Sequence, residues 1–268
     1  MRPAKPQRRV VITGVGAVTP LGNTAEESWQ KALKGESGIA NITKFDAAQF
    51  DVHFAGEVKN FNADLYIDKK EQKKMDIFIH YAIAASKMAM EMSGLVLTEE
   101  LKEKMGVFIG SGMGGLPAIE EQFSKYKDRG PGRISPFFIP SVITNLASGQ
   151  VSILFGAKGP NYCLTSACAS GAHSIGEAAR YIRDGICDVM IAGGTESTVC
   201  PLGVGGFAAM RALSTRNDDP TKASRPWDKD RDGFVLAEGA GMMVLEEYES
   251  AIKRGAPILA ELTGAWPS

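Results

Sequence analysis

Short apolar runs alternate along this chain with longer stretches in which apolar residues recur every three or four positions. Val10-Val11-Ile12-Thr13 has the pattern of a buried strand closed by Gly14 and Gly16, and 25–33 that of a short helix capped by Asn23 or Thr24. The stretch 35–61 is polar and turn-rich, a loop with one short strand. Over 73–92, Met75, Phe78, Ile79, Ala82, Ile83, Ala85, Met88 and Ala89 give the longest helix a wide apolar face, and a stripe at this spacing is core. A second buried strand follows at 106–109, a helix at 116–126, a break at Arg129-Gly130-Pro131-Gly132 and another helix at 140–155. Tyr162, Cys163 and Leu164 form a short buried strand; Ile175, Ala178, Ala179 and Ile182 mark the helix after it. Strands at 188–192 and 240–246, then a helix and a strand at 258–263, complete the pattern. Strands alternating with helices predict an α/β fold with a mostly parallel sheet covered on both faces. No internal repeat is present.

At 268 residues, 44% hydrophobic and 23% charged, the chain suits a globular domain with a sizeable core. A net charge of −1 removes a strongly basic nucleic-acid binder from the default readings. No apolar run is long enough for a membrane span. The residues from Met1 to Arg9 lead into a strand rather than a signal-peptide core, so a cytoplasmic protein is expected. Cysteines at 163, 168, 187 and 200 form no disulfide framework and no paired CxxC unit. With only His53, His80 and His173 beside them, neither a metal nor a cofactor is expected.

The candidate chemistry centres on Cys168, in Thr165-Ser166-Ala167-Cys168-Ala169-Ser170-Gly171 at a strand-to-helix turn. Free N–H groups at a helix start favour an anionic sulfur, so a cysteine there is a candidate for covalent catalysis. The plain alternative is a small apolar core residue. Cys163 and Cys187 adjoin strand interiors, and Cys200 has no helix start assigned to it. His173 follows too closely to share a helix face with Cys168 and reads as a packing or surface residue. Gly110-Ser111-Gly112-Met113-Gly114-Gly115 fits the dinucleotide-binding spacing G-x-G-x-x-G, and Tyr66 and Lys70 have the Tyr-x-x-x-Lys spacing of short-chain dehydrogenases. The acid expected about 20 residues on is replaced by the loop Asp128-Arg129-Gly130, which weakens a nicotinamide-oxidoreductase reading; turn formation and tight packing are the alternative for these glycines. Asp228, Asp230 and Asp232 alternate with Lys229 and Arg231, which predicts ion pairs with Arg225 and Arg231 rather than a calcium loop.

Downstream, Pro201-Leu202-Gly203-Val204-Gly205-Gly206-Phe207, Arg211-Ala212-Leu213-Ser214 and Ser224-Arg225-Pro226-Trp227-Asp228 follow Cys168 in a fixed order. From Arg9 to Gly264 this succession resembles the condensing enzymes of fatty-acid synthesis, the beta-ketoacyl synthases of the thiolase-like superfamily, in their 3-oxoacyl-acyl-carrier-protein synthase 2 branch. The resemblance implies a layered αβαβα architecture of two similar halves, each with a five-stranded sheet: the first complete here over 1–250, the second only begun over 251–268. It implies that Cys168 accepts an acyl group from acyl carrier protein, and that the thioester condenses with decarboxylating malonyl-carrier protein. It further implies an acyl pocket at Met113 and Phe207, Phe138 reaching toward a partner subunit's pocket in a homodimer, and a basic patch of Lys70, Lys73, Lys74 and Arg211 that receives the acidic carrier protein. A solvated helix face is the alternative for that patch. The family's two histidines and lysine belong to a further stretch, and 265–268 does not resemble that continuation, so condensation by this chain alone is not expected. Nor is high stability, because apolar surface meant for the second half would be exposed. A non-catalytic polyketide partner subunit is a further alternative; such subunits typically replace the cysteine.

Overall fold

The computed structural model describes residues 8–264; the start of the N-terminal run and the end at 265–268 lie outside the described residues. The first strand, β1 (Val10–Val18), does not stop at its glycines. A Cβ on Gly14 or Gly16 would stand 2.0 Å from the carbonyl oxygen of Ala89 or Ala85. These glycines therefore let a helix lie directly on the strand instead of ending it. That helix is the long one, and it begins later than its apolar stripe suggests. The Asp76 carboxylate accepts from the Phe78 N–H, caps the helix start and separates α3 (Ile77–Ser93) from the short α2 (Lys69–Gln72). Before them lie α1 (Ala25–Leu33), capped by Thr24, and two paired short strands, β2 (Ala40–Asn41) and β3 (Phe54–Ala55), where one was expected.

The chain continues through α4 (Glu99–Glu103), β4 (Met105–Gly110) and α5 (Leu116–Arg129), which Gly130 ends at a φ of 78°. The expected helix over 140–155 is two helices, α6 (Phe138–Val142) and α7 (Leu146–Phe155), because Ile143 is extended between them. Then come β5 (Asn161–Tyr162), α8 (Ser170–Arg183), β6 (Val189–Glu196), α9 (Pro201–Ala209), β7 (Gly239–Glu247), α10 (Tyr248–Lys253) and β8 (Ala260–Glu261).

The main sheet has the order β5-β4-β6-β7-β1-β8. It is mixed rather than mostly parallel: β4 pairs parallel with β5 and β6, while β7 runs antiparallel to both β6 and β1, and β8 antiparallel to β1. The cause is the connection from β6 to β7. It holds α9 and irregular chain but no helix crossing back to the sheet's other end, so β7 re-enters from the end where β6 stopped. Both faces are covered as expected. Val107 and Ile109 face α3 and α7 with Phe78, Ile79, Ala82 and Val151, while Phe108 between them faces Ala178, Ala179 and Ile182 of α8. A third cluster, with Val52, Phe54, Val204, Leu213 and Leu236, closes one end of the sheet. Among the described residues no helix is long and apolar enough to cross a membrane.

Candidate active site

The strand before Cys168 is neither as long nor as buried as expected: β5 ends at Tyr162, the outermost strand of the sheet, and Tyr162 is 53% exposed. From there the chain reaches α8 through a sharp elbow. Ala167 adopts a φ of 52°, a left-handed conformation that costs a non-glycine residue about 1 kcal/mol. Buried Ser170 holds it, accepting the Ser166 N–H at 2.9 Å and donating to the Ala167 carbonyl at 2.6 Å. Ser166 Oγ lies 2.6 Å from His173 Nδ1, so His173, expected to pack or face solvent, braces the elbow. At the end of β4, a Cβ on Gly110 would meet Ser170 backbone at 2.4 Å; glycine there lets the elbow seat on the sheet.

The outcome is an exposed Cys168 two residues ahead of α8, just outside the helix N-cap at Ala169 rather than within the first turn. Its own N–H donates to no group among the described residues. The thiol opens into a cleft of about 710 Å³. Walls come from the ends of β1, β4 and β6 and the start of β7, outside the carboxyl ends of the parallel strands, where α/β sheets bind ligands. Met113 and Phe207 line it with Cys168, bringing three predicted residues into one site. Phe207 stands edge-on to Phe234, ring centroids 5.3 Å apart, which fixes an aromatic wall. Phe138 does not line the cleft; it opens α6, half-buried.

Two acids in the cleft wall carry no periodic signal in the sequence. Glu196, the last residue of β6, accepts the Gly112 and Met113 N–H groups and the Ser111 hydroxyl; burial raises its carboxyl above the usual range against these donors. Glu238, 4% exposed, is paired with Lys44 at 2.5 Å and accepts the Val58 N–H and Tyr81 hydroxyl. Asp76, also buried and raised by desolvation, ties α3 to α5 and to the chain after β6 through Ala118 N–H and Ser197 Oγ. Among the described residues no group of three His, Cys, Asp or Glu side chains is placed to hold a metal ion. In the aspartate loop the one direct ion pair among the described residues joins Arg225 to Asp232 at 3.1 Å, whereas Arg231 bonds the Asp228 carbonyl.

Of the four basic residues, Lys70, Lys73 and Arg211 are exposed and form no ion pair among the described residues, while Lys74 is half-buried, bonded to Glu71 at 2.6 Å and lying over the Phe137 ring. Cys200, which the sequence assigned to no helix start, is the N-cap of α9, yet it is buried and its thiol is pushed up to about 12 by desolvation; Cys187 is likewise pushed up to about 11. Iodoacetamide at neutral pH should therefore modify Cys168 first, with Cys187 and Cys200 protected until unfolding. Peptide mapping over time checks this; early labelling of Cys200 would contradict it.

The sequence profile of the beta-ketoacyl synthase N-terminal domain matches residues 7–251. The chain belongs to the beta-ketoacyl synthase family. The 3-oxoacyl-[acyl-carrier-protein] synthase 2 of Vibrio harveyi is 55% identical over 258 residues, covering 96% of this chain and 62% of that protein. Its counterpart in Staphylococcus aureus strain COL is 50% identical over 257 residues. A solved beta-ketoacyl synthase from Burkholderia phymatum superposes with a TM-score of 0.85 at 33% identity, covering 95% of this chain and 62% of that one. A type II polyketide ketosynthase solved in complex with its acyl-carrier protein gives 0.86 at 31% identity, covering 97% and 63%. The chain thus spans 62% of the length of the curated relatives it matches. As a beta-ketoacyl synthase domain it leaves no place for the dinucleotide reading: the Gly110–Gly115 turn is gripped by Glu196 and packed on the elbow.

Proposed function

We propose that Cys168 is the acyl-accepting nucleophile of a 3-oxoacyl-acyl-carrier-protein synthase, with the acyl chain lodged in the cleft between Met113 and Phe207. The observation that carries this reading is an exposed thiol thrust by a braced elbow into a large apolar cleft. The Cys168 thiolate, its proton released to solvent, attacks the thioester carbonyl of an acyl carrier; a tetrahedral oxyanion forms, with the unpaired Cys168 N–H as one donor, and collapses by expelling the carrier's thiolate, which takes up a proton from solvent. Decarboxylation of malonyl-carrier protein calls for imidazoles, and the chain's three histidines are engaged elsewhere: His53 on the Phe50 carbonyl, His80 on the Gln72 carbonyl and His173 on Ser166. We read residues 1–250 as the acyl-transfer half of the complete enzyme.

Acidic carrier protein docks, in this reading, on Lys70, Lys73, Lys74 and Arg211. Reversing Lys70, Lys73 and Arg211 to glutamate avoids the partly committed Lys74. In a binding titration with the full-length protein, the triple variant should bind acyl carrier protein at least about tenfold more weakly, and added salt should erase the difference. Equal affinity at low salt would return these residues to a solvated face. The complete protein is, on the same reading, a homodimer through the exposed edge of β5, beside which Ile139, Ile143 and Ile153 present apolar surface on α6 and α7 and between them.

A further inference from the structure

Met113 is 41% exposed on the turn between β4 and α5, whose far end is pinned to α6 where the Gly115 N–H donates to the Val142 carbonyl at 3.0 Å. What holds its Gly112-Met113 half is one carboxylate. Glu196 Oε2 takes the Gly112 N–H at 2.8 Å and the Met113 N–H at 3.2 Å, and Oε1 takes the Ser111 hydroxyl at 3.2 Å. Ser111 Oγ in turn accepts the Gly114 N–H at 3.1 Å, and the Ser111 carbonyl accepts the Thr165 hydroxyl at 3.1 Å, which links the turn to the chain leading to Cys168. The fit is tight: a Cβ on Gly112 would stand 3.0 Å from Glu196 Oε2. Hydrogen bonds to an ionised acceptor are about twice as strong as neutral ones, so this single side chain restrains the backbone that carries Met113.

We propose that Glu196 is a positioning residue that sets how long an acyl chain the cleft accepts. The inference rests on the reading that the cleft holds an acyl chain on Cys168. A short chain ends before it meets Met113 and is indifferent to the restraint. A long chain must displace Met113, and any shift of the backbone that carries it strains the turn away from Glu196. Releasing the turn removes that penalty for long chains alone, so the selectivity between chain lengths shifts while the thiol stays where it is.

The test uses the full-length protein and straight-chain acyl-N-acetylcysteamine thioesters, one short and one long, with the acylation rate of Cys168 read by mass spectrometry. Glu196→Ala should raise the long-to-short rate ratio by about tenfold, the loss of bonds to one charged acceptor. Glu196→Gln, whose amide oxygen can still accept both N–H groups while its NH2 faces the Ser111 hydroxyl, should restore the ratio to within about twofold of the parent. Ser111→Ala removes one of the three donors and should shift the ratio partway in the same direction; it carries the test if the Glu196→Ala protein does not fold. Iodoacetamide labelling of Cys168 reports an intact elbow in each variant. An unchanged ratio in folded Glu196→Ala, or in Ser111→Ala if that variant alone folds, overturns the role of Glu196. Parent protein that takes no acyl group at Cys168 from either thioester overturns the acyl-cleft reading, and this inference with it.

Discussion

Replacing Cys168 by alanine should lower acyl uptake from a thioester donor by at least about a thousandfold, since no other thiol lines the cleft. Cys163 is the nearest thiol in sequence, but its sulfur lies against the Leu164 carbonyl and the Thr165 hydroxyl, outside the cleft lining. Cys187 and Cys200 are buried. Stability should barely change. The Cys168 side chain is exposed, and substitutions at such positions usually stay within about 0.5 kcal/mol. The elbow is held by Ser166, Ser170 and His173, none of which bonds the sulfur. Intact-mass measurement after incubation with acyl donor, paired with thermal unfolding, separates the two effects. Uptake by the alanine variant at the parent rate would move the nucleophile elsewhere.

Gly16→Ala should be among the most damaging single-methyl additions in the fold. Its Cβ would sit 2.0 Å from the Ala85 carbonyl oxygen and 2.8 Å from the Ala89 nitrogen, both backbone atoms of α3, so no side chain can turn aside. Either α3 lifts from β1 or the strand bends. Both disturb the buried layer of Phe78, Ala82 and Ala85 and, at the end of β1, the cleft wall at Ala17 and Val18. Overpacking at such contacts costs about 3 kcal/mol or more, which for a chain of this size lowers the unfolding temperature by roughly 10 °C. Gly206→Ala is the control: nothing lies within 4 Å of its Cβ position, and alanine is the better helix former. Calorimetry on the pair should show a deep loss for Gly16→Ala and none for Gly206→Ala. Equal unfolding temperatures would mean that the helix and strand are not in direct contact.

Periodicity revealed the layers and most elements, because each buried strand or helix face writes its own period. It could not reveal strand direction. An apolar run such as 240–246 reads the same whether its neighbours are parallel or antiparallel, and the direction of β7 is set by a connection with no crossover helix. Helix α9 was hidden for another reason: Pro201-Leu202-Gly203-Val204-Gly205-Gly206 has poor helix propensity, and its glycines serve packing, with a Gly203 Cβ only 2.0 Å from the Thr198 carbonyl. In the site, Cys168, Met113 and Phe207 were legible through their motifs, and the cleft unites them. Glu196 and Ser170 were not. An acid closing an apolar strand has no period, and the Glu196 partners at 111–113 lie more than 80 residues away in the chain. The one available hint was a glutamate closing β6 one residue beyond its apolar run, where a strand would be expected to hold no charge without partners.

The most direct measurement of the central claim is the location of the acyl group itself. Incubate the full-length protein with acyl-loaded carrier protein in the absence of malonyl donor, quench in acid, digest, and sequence the modified peptide by tandem mass spectrometry. One acyl group per chain, on the peptide containing Cys168 and released by hydroxylamine as a thioester, is the predicted result. An acyl group on another residue, or none on Cys168 while the protein still elongates acyl chains, would contradict it.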